Sequence, residues 1–373
     1  MRTLIAGLVL IALGIAGAEY IRRNPKAPAA KTDPAAPADD ASGEAKQLEA
    51  APSMKDLTAI DSAAAEPNAD TAPISELFAS ASVMKAADGA TSILNGNYKI
   101  RELKAGTSFA VVVVEKDKTF ALVRVSKEAP PKVLIARKEP ISALAVDGES
   151  VVWAEGSSVL SVPADGSGGV KSLAHFAKAA VNAVAMSKGI VLASLTPTNA
   201  DPFSTDANGA IVKVVDHAVT MLASEQIRAH DLLVDGSEAF WVSGYPAWLN
   251  RASLDGSFSA KIAERADGPL GLDGDFIVHR YPQTSGPEVR RMARAGGSVQ
   301  TLARADVDWL AVSGGVVAYT TTGIGSRLYE VKVGSDPVEK AAFKGTAKGV
   351  ARSSEGTYLL FTNDDGITSV LVY

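Results

Sequence analysis

The sequence predicts an all-β fold, a β-propeller of about seven four-stranded blades. Three observations predict it. A strand–turn–strand unit recurs about every 40 residues through the C-terminal three quarters of the chain. A second position, six residues after each turn, is mostly large or aromatic. The last unit stops before its fourth strand, while a spare apolar stretch precedes the first unit.

The repeats align on the residue that opens the turn after each first strand. That column reads Asp147, Ser187, Asp235, Asp273, Ser313 and Ser353, with spacings of 40, 48, 38, 40 and 40. A degenerate earlier copy, "IRELKAGTSFAVVVVE", places Ala105 in the column, 42 residues before Asp147, which makes seven units. Asp, Ser and Gly suit tight turns because they tolerate or stabilise the backbone there. The second column holds Trp153, Ala193, Trp241, His279 and Tyr319, residues that pack on a pleated, half-buried strand. Third strands such as "SVLSVPADG" and fourth strands such as "VKSLAHF" complete a blade. In the last unit only "GITSVLVY" follows Phe361, so Thr91 to Leu94 is expected to supply the missing strand and close the ring. Rings of six or eight blades and a pair of β-sandwiches are the alternatives, and the near-constant period argues against the sandwiches.

Ahead of the propeller (91–373) lie three segments. Residues 1–23 carry Arg2, an apolar run from Leu4 to Ala18 and an Ala16-Gly17-Ala18 cleavage signal, so they read as a signal peptide or a membrane anchor. Residues 4–21 would anchor the chain in an inner membrane if they are not removed. Arg22, Arg23 and Lys26 outweigh Arg2, which by the positive-inside rule favours a cytoplasmic body. The cleavage signal, the linker that follows and the absence of cysteine favour export to the periplasm or another extracytoplasmic space, and that reading is preferred. Residues 24–73 are rich in Ala, Pro, Asp and Lys and nearly devoid of large apolar side chains. They read as a disordered linker, because they cannot bury enough surface to offset the entropy of ordering. The pattern of 74–90 allows a short amphipathic helix.

Composition removes several function classes. With no cysteine there is no thiolate nucleophile, disulfide or zinc–sulfur site. A net charge of −5 and the lack of a basic stripe argue against nucleic acid as a partner. The four histidines, His175, His217, His230 and His279, form no metal-binding pair, and the sequence indicates no cofactor and no metal. Asp206, Asn208 and Gly209 carry only part of a calcium-loop pattern. The acid pairs Asp364-Asp365 and Asp306/Asp308 read as solvated turns. No serine stands in a recognisable triad setting, so no catalytic residue is assigned.

The turns "DG-x-x-V-x-W" at Asp147 to Trp153 and "DGSEAFW" at Asp235 to Trp241, with the "PADG" and "SLDG" turns, resemble the broad superfamily of bacterial propellers with YWTD-like or TolB-like blades. The resemblance covers roughly 91–373 and implies a fold, with a binding or scaffolding role as the usual use. It transfers no catalytic residue.

In a propeller, the loops between second and third strands share a face with the entries to the innermost strands. That face is expected to gather Phe203, His230, Tyr245, Trp248, Arg280, Tyr281 and Trp309, an aromatic set with one arginine, as recognition patches use. The expected function is an envelope-exposed binding or scaffolding module for a protein or glycan partner. The alternative is a hydrolase- or lyase-type enzyme with its site at the channel mouth.

Overall fold

The computed structural model describes residues 84–85, 90–96, 98–201, 205–283, 286–321 and 325–373. The N-terminal apolar segment, the linker and Phe203 lie outside the described residues.

The described residues form a propeller of seven sheets. Two N-terminal strands, β1 (Met84–Lys85) and β2 (Thr91–Gly96), come first. Blade one is β3 (Lys99–Ala105), β4 (Ala110–Lys116), β5 (Thr119–Val125) and β6 (Lys132–Arg137). Blade two is β7 (Ile141–Asp147), β8 (Ser150–Glu155), β9 (Ser158–Pro163) and β10 (Lys171–His175). Blade three is β11 (Ala179–Ser187), β12 (Ile190–Pro197), β13 (Gly209–Val215) and β14 (Ala218–Gln226). Blade four is β15 (His230–Asp235), β16 (Glu238–Ser243), β17 (Trp248–Ser253) and β18 (Ser259–Glu264). Blade five is β19 (Asp267–Asp273), β20 (Phe276–Tyr281), β21 (Glu288–Ala293) and β22 (Val299–Arg304). Blade six is β23 (Val307–Ser313), β24 (Val316–Thr321), β25 (Ser326–Lys332) and β26 (Val338–Phe343). Blade seven takes β27 (Thr346–Ser353), β28 (Gly356–Thr362) and β29 (Thr368–Val372) from the end of the chain.

Every first strand ends on the turn column read from the sequence: Ala105, Asp147, Ser187, Asp235, Asp273, Ser313 and Ser353. These first strands are the inner ring, each packed against its neighbours, with β27 against β3. Gly148, Gly236, Gly274 and Gly314 follow the column residue at φ of 52°, 60°, 56° and 60°. An L side chain loses about 1–2 kcal/mol in that left-handed region, which explains the repeated Asp-Gly and Ser-Gly. The column acids do a second job. The Asp147 carboxylate accepts from the Lys188 backbone N–H, and Asp235 pairs with Arg294, each contact reaching the next blade.

The ring closes as the truncated last unit requires. β2 pairs antiparallel with β29, and the blade reads β1-β2-β29-β28-β27. Ile93 and Leu94 are buried against Tyr358, Leu360 and Val370 in the seam between blades seven and one. Within the stretch read as a short helix, the described Met84–Lys85 is a strand instead, paired with Ser92 and Thr91. Pairing on the open edge of β2 satisfies backbone groups of those two residues; apart from Ala90, the rest of 74–90 lies outside the described residues.

The aromatic column is core. Trp153 and Trp241 are fully buried, and His279 and Tyr319 nearly so. Each tryptophan also docks a polar group. Trp241 Nε1 donates to Gln226 Oε1 at 2.7 Å, linking blades three and four. Trp153 Nε1 reaches Glu155 Oε2 at 3.3 Å, and Arg137 of blade one grips the same carboxylate at 2.9 Å through both Nε and Nη2. Burial lowers the His279 pKa and the Arg290 charge adds to that, while the bond between Nδ1 and the Arg280 carbonyl at 2.9 Å acts in the opposite sense.

Candidate binding face at the channel mouth

All seven inner strands shift register near their starts, at the same rung of each blade. The breaks fall between Ile100 and Glu102, Ile141 and Ala143, Val181 and Ala183, His230 and Leu233, Asp267 and Gly271, Val307 and Trp309, and Ala347 and Gly349. A bulge inserts an unpaired residue, bends the strand and re-aims a side chain, and bulges gather near functional sites. The residues carried in these bulges include Arg101, Ser142, Asn182, Asp231, Asp308 and Lys348. Their polarity at one rung, against apolar neighbours, was a signal available in the aligned repeats, but it emerges only once the bulge is known.

The bulges ring one mouth of a central cavity of about 600 Å³. His230 and Trp309, both expected on this face, line the cavity together with Asp231 and Lys348. Trp309 is 41% exposed. His230 Nδ1 lies 2.5 Å from Asp231 Oδ2. Burial alone would lower the histidine pKa. The hydrogen bond and charge of Asp231, with Asp267 behind it, outweigh burial and leave it above the ordinary histidine value. Asp231 itself holds φ of 51°. Its carboxylate presses on Gly268 of the next blade, where an added Cβ would come within 1.8 Å of Oδ2. The glycine is therefore required for the acid to sit as it does.

The remaining expected residues divide. Tyr245, on the turn between β16 and β17, is 87% exposed. Trp248 begins β17, half-buried, with Lys261 Nζ 5.0 Å above its ring. Tyr281 ends β20 with the Arg290 guanidinium 3.4 Å over its ring. Arg280, the one arginine expected in the recognition set, lies 3.8 Å from Asp267 and 3.5 Å from Asp306, so it joins the entry of β19 to the connector into β23. The strand register puts these residues on the face where inner strands begin, since Asp267 pairs with Arg280 and His230 with Val242. Inner-face packing occupies one side of Trp248, Tyr281 and Arg280; Tyr245, Trp309 and His230 stay open.

Two acids at the mouth are pushed upward. Asp308 is raised by burial and by Asp306, partly offset by Arg280 and Lys348. Glu102 is raised chiefly by burial, opposed by Lys104, with a further rise from Asp231 across the channel. Elsewhere, Ser158 Oγ and His175 Nδ1 lie 2.9 Å apart, and among the described residues no carboxylate bonds that histidine. Among the described residues no group of His, Asp and Glu could hold a metal ion. Asp364 and Asp365 are exposed on a turn.

No protein-family model matches the chain, and no curated protein does. Solved structures match the fold. The acylaminoacyl peptidase of Pyrococcus horikoshii aligns at 12% identity and a TM-score of 0.55, over 71% of this chain and 49% of its own. A prolyl endopeptidase aligns at 13% identity and 0.53, over 71% of this chain and 46% of its own. This chain thus spans about half the length of the peptidases it matches. A protein described as a TolB from Agrobacterium tumefaciens aligns at 13% identity and 0.45, over 65% and 93%. At such identities the likeness is one of fold, that of a β-propeller.

Proposed function

We propose that the protein is a binding module of the cell envelope that takes a protein partner on the face where its inner strands begin. One observation carries the reading: bulges at the same rung of the inner strands bring Arg101, Ser142, Asn182, Asp231 and Lys348 to one cavity wall, with Trp309 directly after the sixth bulge. Tyr245 and Trp309 offer exposed aromatic surface on that face, and exposed aromatics are the usual anchors of an interface. A rigid ring also loses little entropy on binding. A glycan is the second partner class this surface suits, because aromatic faces stack on sugar rings.

The test uses the full chain and its native envelope. Tyr245→Ala with Trp309→Ala should release a partner that the wild-type protein captures, weakening binding by about 2 kcal/mol or more, the size of a hot-spot loss. The melting temperature should stay unchanged, because both rings are largely outside the core. Retained capture by the folded double variant would move the binding face elsewhere. Arg280 is not part of the test, since it is tied to Asp267 and Asp306 and its loss would disturb the fold locally.

Envelope placement rests on the N-terminal apolar run, the Ala16-Gly17-Ala18 signal and the linker. A reporter fused after Tyr373 should be active only outside the cytoplasm. Activity inside would mean that Arg22 and Arg23 set the orientation and that the module faces the cytoplasm.

A further inference from the structure

We propose that the central cavity is a site for a small zwitterion of the peptide type, its ammonium group on Asp231 and its carboxylate on Lys348. The inference rests on reading this mouth as a binding face and names a ligand class for its centre. The cavity, about 600 Å³, has the size of small-molecule sites.

Its wall carries charge of both signs: Asp231 with His230 on one side, and on the other a group of basic side chains that also holds Glu102. Asp231 stands in blade four. In a ring of seven, blade four faces the seam between blades seven and one, and that seam supplies Lys348, Arg352, Lys104 and Arg101 to the wall. Most of these cations are already engaged: Arg101 with Glu115, Arg352 with Glu330, and Lys104 with Glu102 at 3.5 Å. Lys348 has no ion-pair partner among the described residues. Its charge is felt at Asp308, and its side chain is exposed into the cavity. On the other side, Asp231 spends Oδ2 on His230, and Oδ1 carries no hydrogen bond among the described residues. The acid is fixed by its left-handed backbone and by contact with Gly268, so it is pre-aimed rather than free to fold away.

A lone anion would meet Asp231 and Glu102, and a lone cation would meet the basic seam. A molecule with separated charges satisfies both walls. Between them lie Leu103, Leu232, Leu270, Leu310 and Val350, apolar groups that exclude water and strengthen charge contacts at their edge. Trp309 offers a flat apolar surface beside them, suited to a peptide plane or a short aliphatic segment.

The experiment titrates the full chain with triglycine, N-acetyl-triglycine and triglycine amide by isothermal calorimetry. Triglycine should bind best, and each cap should weaken it roughly tenfold or more, the loss of one charge-assisted hydrogen bond. Asp231→Asn should weaken triglycine and abolish the difference between the free and acetylated amine. Asparagine tolerates the left-handed backbone at that position. Lys348→Met should abolish the difference between carboxylate and amide, and its exposed side chain makes misfolding no obstacle. Equal binding of all three probes, no binding of triglycine, or unchanged cap discrimination in Lys348→Met would overturn the proposal. If these fail while the Tyr245/Trp309 pair still loses its partner, the face reading stands and only the cavity ligand is wrong.

Discussion

A chain cut to residues 98–373 should melt far below the full-length protein, while one cut to 73–373 should melt with it. The shorter form loses β2, and with it five backbone partners on β29 and the buried side chains of Ile93 and Leu94. Each buried aliphatic side chain contributes about 1.5–3 kcal/mol. The lost ladder would also leave an apolar edge on the blade formed by the end of the chain. The total is about 5 kcal/mol or more, a large fraction of the stability of an ordinary domain. The edge left behind would also promote association, so size-exclusion chromatography should report aggregates from 98–373 and a single species from 73–373. Equal melting of the two forms would show that the β2–β29 seam contributes nothing to stability. The point-mutant version, Leu94→Asp in the full chain, should reproduce the loss, because a carboxylate in that seam finds no partner.

The second large effect is expected at Trp153. Trp153→Ala should lower stability by about 3–5 kcal/mol, the range for truncating a fully buried aromatic residue. For a domain of this size that is a fall of roughly 6–20 °C in melting temperature. The cost has two parts. The indole fills the seam between blades one and two beside Leu144, Leu122 and Ile135. Its N–H also donates to Glu155, the carboxylate that grips Arg137. That ion pair is nearly solvent-free, with side chains 5% and 9% exposed, and a buried pair is costly to disturb. Thermal unfolding of Trp153→Ala beside Trp153→Phe separates the parts. Phenylalanine should recover most of the packing and none of the hydrogen bond. A loss below about 1 kcal/mol in the alanine variant would show that the seam relaxes to fill the space and that the column is not core.

The stretch around Trp153 shows why the blades were legible in the sequence. A β-strand buried on both sides against its neighbours leaves a short apolar run, and the turn that follows demands a residue able to take positive φ. Asp147-Gly148, Asp235-Gly236 and Asp273-Gly274 repeat that demand at the blade period, so strand ends and blade number followed from local chemistry alone. The closing strand was legible for the same reason: a unit without its outer strand must find one, and Thr91 to Leu94 was the unclaimed apolar run.

The mouth was legible only in part. Its location followed from topology, and His230 and Trp309 do line the cavity. Arg280 was placed in the recognition set without its acids, because Asp267 at the start of β19 and Asp306 in the connector into β23 converge on it only when blades five and six pack. Asp231 and Lys348 escaped notice entirely, since a polar residue at a strand's start looks like ordinary punctuation. What the sequence by itself determined is the repeat: strand period, turn chemistry, seven units and an unpaired last blade are all local patterns. What only the tertiary structure decided is the candidate site. A bulge is set by how an inner strand must bend to join a ring. That bend, at the same rung in every blade, turned scattered polar residues from distant repeats onto one cavity.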